Sequence, residues 1–206
     1  AGKFGQFAAH HFSRAAAEAV STADGPFLSR LVNRNLLEIT NNSLSMHQTL
    51  HDLASARMDG EARARHAGFY LDLVNQDRAD WQRIDAIYEQ ISWAWQYSAE
   101  EDCLNWVWAL RQQQSTRGYW RELIDWHERG LAWARGNAPR EDEAVLLSNL
   151  GWVYNAIGRP SEALALYEEA LPIRREVGDR AGEAATLNNM AMVYRATEIG
   201  RASCRE

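Results

Sequence analysis

His47 and His51 stand four residues apart, the spacing that sets two imidazoles on one helix face within reach of a metal ion. No glutamate lies between them and no third ligand is near, so the pair points away from zinc. Other chemistries need residues that the chain lacks. It has no Gly-x-x-x-x-Gly-Lys-Ser/Thr to cradle phosphates, and the Ala1-Gly2-Lys3-Phe4 opening does not supply one. There is no Gly-x-Ser-x-Gly and no cysteine beside a plausible base. Cys103 and Cys204 suggest neither a disulfide nor a metal framework. No catalytic residue, no metal site and no resident cofactor are therefore expected. What remains is recognition. Asn149 and Asn189 lie forty residues apart, and that interval is the lead.

The forty-residue interval belongs to the chain as a whole. Leu147-Ser148-Asn149-Leu150-Gly151-Trp152-Val153-Tyr154 returns as Leu187-Asn188-Asn189-Met190-Ala191-Met192-Val193-Tyr194. A period of this size implies stacked helical pairs, because one pair cannot bury its own apolar face. Small residues at Gly151, Ala163, Ala170 and Ala191 let helices approach, and Tyr154, Tyr167 and Tyr194 fill the volume between them. Gly158-Arg159-Pro160 separates two helices, proline being tolerated at a helix start. Pro172 lies inside the second helix, where a kink or early disturbance is expected.

These residues resemble the tetratricopeptide repeat in its longer form, with Gly178 to Glu183 as the connector. The match runs from about 144 to 196. It implies a peptide groove in which Asn149 and Asn189 face the ligand, with Trp152 and Arg195 adding selectivity. Asparagine could equally serve there to cap helix contacts. The period persists upstream in weaker form: Gly118 precedes Gly158 by forty, Leu123 stands for Ala163, and His127 for Tyr167. Arg111 replaces the small residue, so this earlier unit is degenerate. Eight of nine tryptophans fall between Trp81 and Trp133, and at helical spacing they read as packed core rather than as an aromatic platform.

The amino-terminal stretch differs. Phe12 to Val20 reads as a short helix opened by a serine cap, Asp24-Gly25-Pro26 as a turn, and Phe27 to Leu37 as a second helix. Glu38-Ile39-Thr40 and Ser43-Leu44-Ser45-Met46 suggest a small hairpin or wing around Asn41-Asn42, and a further helix should run from His47 to about Met58. Met46-His47-Gln48-Thr49-Leu50-His51-Asp52 then resembles the Met-His-Asp region closing the winged helix of signal-transducing ATPases of the STAND and NB-ARC class. Glu61 to Tyr70 and Asp80 to Trp95 are similar to the helical arm of its bacterial members. The resemblance implies that His47 would sense the β-phosphate of ADP in a longer parent whose nucleotide-binding domain lies upstream. Gln48 stands where that family has aspartate, which weakens the expected lock.

The whole is thus read as all-α with a small β-hairpin: winged-helix remnant at 1–58, helical arm at 59–100, degenerate repeat at 101–140 and tetratricopeptide superhelix at 141–197. Residues 198–206 read as a non-native tail, because their back-translation fits a sequencing adapter. A chain that opens on Ala1 and stops inside a repeat reads as a piece of something longer. Twenty-eight carboxylates against 22 basic residues exclude an electrostatic footprint for nucleic acid. No run approaches the roughly 20 apolar residues of a membrane span. With no secretory signal, a cytoplasmic setting is expected, and the excess of arginine over a single lysine suggests a GC-rich genome, the resemblance implying a bacterial one. The function expected is regulatory: a protein or peptide signal sensed on the repeats and relayed to a nucleotide-dependent switch. The alternatives are the sensor of a transcription regulator, or part of an ATPase whose catalytic core lies outside this sequence.

Overall fold

A computed structural model of the chain describes residues 11–40, 43–47 and 60–203. The chain divides into two compact units, Ala1–Ala109 and Leu110–Glu206. All-α architecture with one small sheet is what the sequence pattern requires.

In the first unit, strands β1 (His11–Ser13), β2 (Glu38–Thr40) and β3 (Ser43–Ser45) form a sheet of order β1-β3-β2, antiparallel throughout. Leu44 faces Phe12 on one side and Ile39 on the other. Phe12 and Leu44 are buried and Ile39 is exposed. The hairpin expected from sequence therefore has a third strand, and Phe12 belongs to it rather than to the first helix. The reason is the cap. Ser13 Oγ accepts the Ala16 N–H at 3.0 Å, so helix α1 (Arg14–Ser21) begins one residue later and leaves Phe12 to the sheet. Helix α2 (Gly25–Asn33) opens where Asp24 Oδ1 accepts the Phe27 N–H at 2.8 Å. It ends four residues short of Leu37, with Asn35 in a left-handed conformation at φ +55°. Of the helix expected from His47 to Met58, all but His47 lies outside the described residues.

Three helices follow: α3 (Gly60–Gln76), α4 (Trp81–Ala86) and α5 (Tyr88–Tyr97). Where α3 meets α5, buried His66 donates Nε2–H to Gln90 Oε1 at 3.1 Å and stands edge-on to Trp93 at 5.0 Å. Burial holds that imidazole down to about pKa 4, so it is neutral. Trp95, Trp106 and Trp126 are buried, in line with the packed-core reading, whereas Trp81 and Trp152 are exposed. Helix α6 (Cys103–Arg117) carries the division between the units. Among the described residues no helix is long and apolar enough to cross a membrane.

The second unit is built of helical hairpins: α7 (Trp120–Asn137), α8 (Arg140–Ala156), α9 (Pro160–Glu176) and α10 (Arg180–Ser203). Three of its turns share one hydrogen-bond pattern. Tyr119 N–H donates to Gln114 O, Arg159 N–H to Tyr154 O, and Asp179 N–H to Arg174 O. Each preceding glycine (Gly118, Gly158, Gly178) has φ between +73° and +79°, a conformation costly for a side chain with a Cβ. Helix α9 runs through Pro172 to Glu176 without interruption, so the early disturbance expected there is not seen. Pro172 is exposed, and the carbonyl it deprives of a partner can turn to water. The real interruption lies in α7, where Arg135 and Gly136 leave helical geometry. Helix α10 continues as helix through the stretch read as a foreign tail, as far as Ser203.

Candidate functional site

Within the hairpin of α8 and α9 the two helices make one close approach. A Cβ added to Gly151 would lie 2.8 Å from Tyr167 Cε1 and 3.0 Å from Cζ, so α8 and α9 meet at a glycine facing a ring. Tyr167 is buried, which pushes its hydroxyl up to about pKa 12. Ala163, Tyr167 and Val193 form a buried cluster against which Tyr154, Leu164 and Met190 pack, and Ala170 is buried on the same helix. Ala191 and Tyr194, expected in the packing, are exposed instead. Their neighbours Val193 and Met190 take that place, because α10 is the last element and no further helix among the described residues covers its other side. Leu187 and Met192 are exposed there as well.

Helices α8 and α10 approach through Ser148 and Thr186, whose hydroxyls are 3.3 Å apart. Asn149 and Asn189 lie one and three residues from that contact, each half-buried. Trp152 is exposed, with its ring 6.2 Å from that of Trp120. Arg195 is also exposed, but at about 100° per residue it falls roughly 120° round the helix from Asn189. Asn149 and Trp152 thus share a face, its continuation on α10 is Asn189 and Met192, and Arg195 does not join them.

The connector expected from the repeat has a physical basis. Asp179 Oδ1 accepts the Gly182 N–H at 2.8 Å, opening α10, while its other oxygen is ion-paired with Arg174 Nη1. Those bonds hold its carboxyl below the usual range. A Cβ on Gly182 would run into Asp179 Oδ2 and sit 2.8 Å from Arg174 Cδ, so the ion pair of the buried arginine needs a glycine beside it. Glu183 is ion-paired with Arg175 at 2.7 Å.

The forty-residue equivalence extends into α7. His127, which stands where Tyr167 stands later, is fully buried, and its Nδ1–H donates to Leu123 O at 2.7 Å. Burial lowers this imidazole to about pKa 4, and Arg111 adds to the effect.

A furrow of about 420 Å³ lies among α7, α8 and α9, and the sequence reading did not find it. Its lining comes from two helical stripes at i, i+3, i+4 and i+7: Glu128, Leu131, Ala132 and Arg135 on α7, and Glu162, Ala165, Leu166 and Glu169 on α9. Leu150 and Tyr154 of α8 complete it. Those stripes were the available signal. Tyr154 donates its hydroxyl to Glu128 Oε1 at 3.1 Å, and the Arg159 guanidinium lies 4.6 Å over its ring. Burial and then Glu128 raise the tyrosine's pKa. Arg135 spans the other end, 3.2 Å from Glu143 and paired with Glu169.

His47 is exposed, two residues beyond the end of β3. One exposed imidazole is not a nucleotide site by itself, and the chain has no phosphate loop to accompany it.

Residues 116–176 match the family model of the tetratricopeptide repeat. Residues 116–176 carry tetratricopeptide repeats. The matched region begins at the end of α6 and closes with α9, so it takes in residues 116–140 of the unit read as degenerate and stops before α10. Such repeats are surfaces for protein–protein interaction. Among solved structures, the chain is similar to a signal transduction ATPase with numerous domains (STAND) protein with a tetratricopeptide repeat sensor from Pyrococcus horikoshii. Identity is 14% and the TM-score 0.38, over 92% of this chain and 46% of that one. This chain therefore spans less than half of that protein. No curated protein matches.

Proposed function

We propose that the repeats are the sensor of a signalling protein, and that the face carrying Asn149, Trp152 and Asn189 holds an extended peptide or a partner's exposed segment. The observation that carries this reading is the pairing of half-buried asparagines with exposed Trp152 beside Trp120. Amides supply sequence-tolerant bonds to a peptide backbone, and the rings supply apolar area at low entropic cost. The test is a selection from a random peptide library, followed by affinities for the Asn149→Ala/Asn189→Ala variant.

In the same proposal the first unit is a winged-helix remnant followed by a helical arm, joined in a longer parent to a nucleotide-binding domain of the STAND and NB-ARC class. His47 would meet the β-phosphate of ADP there. Binding on the repeats would shift the parent between an ADP-held and an active state only through a difference in affinity for the two. Support comes from the order of the Met46-His47 motif, arm and repeats along the sequence. Nucleotide exchange in the full-length protein, with and without His47→Ala, tests it: faster release from the variant is expected, and an unchanged rate would leave His47 a structural residue.

A further inference from the structure

We propose that the furrow among α7, α8 and α9 is a second binding site, one that takes a single arginine side chain of a partner polypeptide. On α8, Leu150 and Tyr154 point about 150° away from Asn149 and Trp152, at 100° per residue, so the two faces are opposite. This site is independent of the peptide face proposed above, and each can fail without the other.

The furrow's shape and its charge balance select the occupant. Its volume of about 420 Å³ lies at the small end of ligand pockets, suited to one long side chain rather than to a cofactor. Buried Leu131 and Leu150, with half-buried Leu166, offer an apolar floor for an aliphatic stem. At one end Arg135 and Glu169 are ion-paired, and at the rim Arg159 pairs with Glu162 at 2.8 Å. Those four charges cancel. Glu128 is the third carboxylate against those two arginines: it accepts the neutral Tyr154 hydroxyl and feels the charge of Arg159, which Glu162 already pairs, so the furrow and its rim keep a net negative charge and Glu128 has a second oxygen that can accept from a two-pronged donor. A guanidinium supplies that donor geometry. An anionic ligand would meet Glu128 directly, and the one arginine in the lining is already doubly paired.

Titration of the isotope-labelled 206-residue protein with the peptide acetyl-Ala-Leu-Arg-Leu-Ala-amide, followed by amide chemical shifts, tests the assignment. Saturable shifts are expected at Ala132, Ala165 and Leu166 and not at Asn149 or Asn189. The same peptide with citrulline in place of arginine should bind at least ten-fold more weakly, and free arginine should cause no saturable shifts. Glu128→Gln should weaken the arginine peptide about five-fold with an unchanged melting temperature. Glu162→Gln, a second exposed site, keeps the test open should Glu128→Gln fail to fold, and should weaken it less than three-fold. Equal binding of the citrulline peptide, shifts confined to the asparagine face, or no saturable shift at all would overturn the proposal.

Discussion

Gly151 lies flat against the Tyr167 ring, so close that even a methyl group would stand 2.8 Å from Cε1. The approach of α8 to α9 is therefore set by the absence of a side chain. Gly151→Ala should destabilise the second unit by about 1–3 kcal/mol, the usual cost of overpacking. Adding Tyr167→Leu should recover part of that loss, because the two positions share one volume. Thermal melts of the four members of the cycle check it. Strictly additive losses would mean that the two positions do not meet.

The connector offers an independent prediction. Gly182→Ala pushes against Arg174, which is held in place by its ion pair with Asp179. A loss of about 1–3 kcal/mol is expected, with faster hydrogen exchange at the start of α10. Unchanged exchange at Glu183 to Thr186 would show that the arginine moves aside freely.

Acid should loosen both units. His66 and His127 are held neutral, each down to about pKa 4 from an ordinary 6.5. The unfolded chain then binds more protons than the folded one between those values, so stability is complete above about pH 6.5 and falls as pH drops toward 4. Each histidine contributes on the order of 3 kcal/mol to that fall. His127→Leu should flatten the pH dependence of the second unit's melting temperature. An undiminished slope in the variant would place the titration elsewhere.

A fourth expectation concerns nucleotide. One hydrogen bond from His47 is worth about 1.5–3 kcal/mol even when charge-assisted, while micromolar affinity needs about 8 kcal/mol. Calorimetric titration of the chain with ADP should show no micromolar binding, and a micromolar dissociation constant would reveal a site outside this account.

What could be read from the sequence was what punctuates it. Gly118, Gly158 and Gly178 mark turns whose conformation few other residues adopt, and the Gly151–Tyr167 contact follows from a small residue and a ring recurring at fixed spacing. Strand β1 was illegible because three residues show no alternation, and its pairing with β3 is a contact across thirty residues of sequence. Pro172 misled because its cost depends on exposure, which sequence alone does not give. Ala191 and Tyr194 copied the pattern of Gly151 and Tyr154 but lack a covering helix among the described residues. The furrow draws on three helices, each with an ordinary amphipathic stripe, and only their assembly turns Glu128 and Tyr154 into a pair.

The central claim is that the asparagine face of the repeats holds a peptide. A selection of random twelve-residue peptides on this chain, with fluorescence anisotropy of the recovered sequences, measures it most directly. Peptides that bind weakly are expected, with dissociation constants on the order of tens of micromolar, or about 6–7 kcal/mol. Asn149→Ala/Asn189→Ala should weaken them at least five-fold without lowering the melting temperature. Recovered peptides whose affinity is indifferent to the double change, or a selection that recovers none, would contradict it.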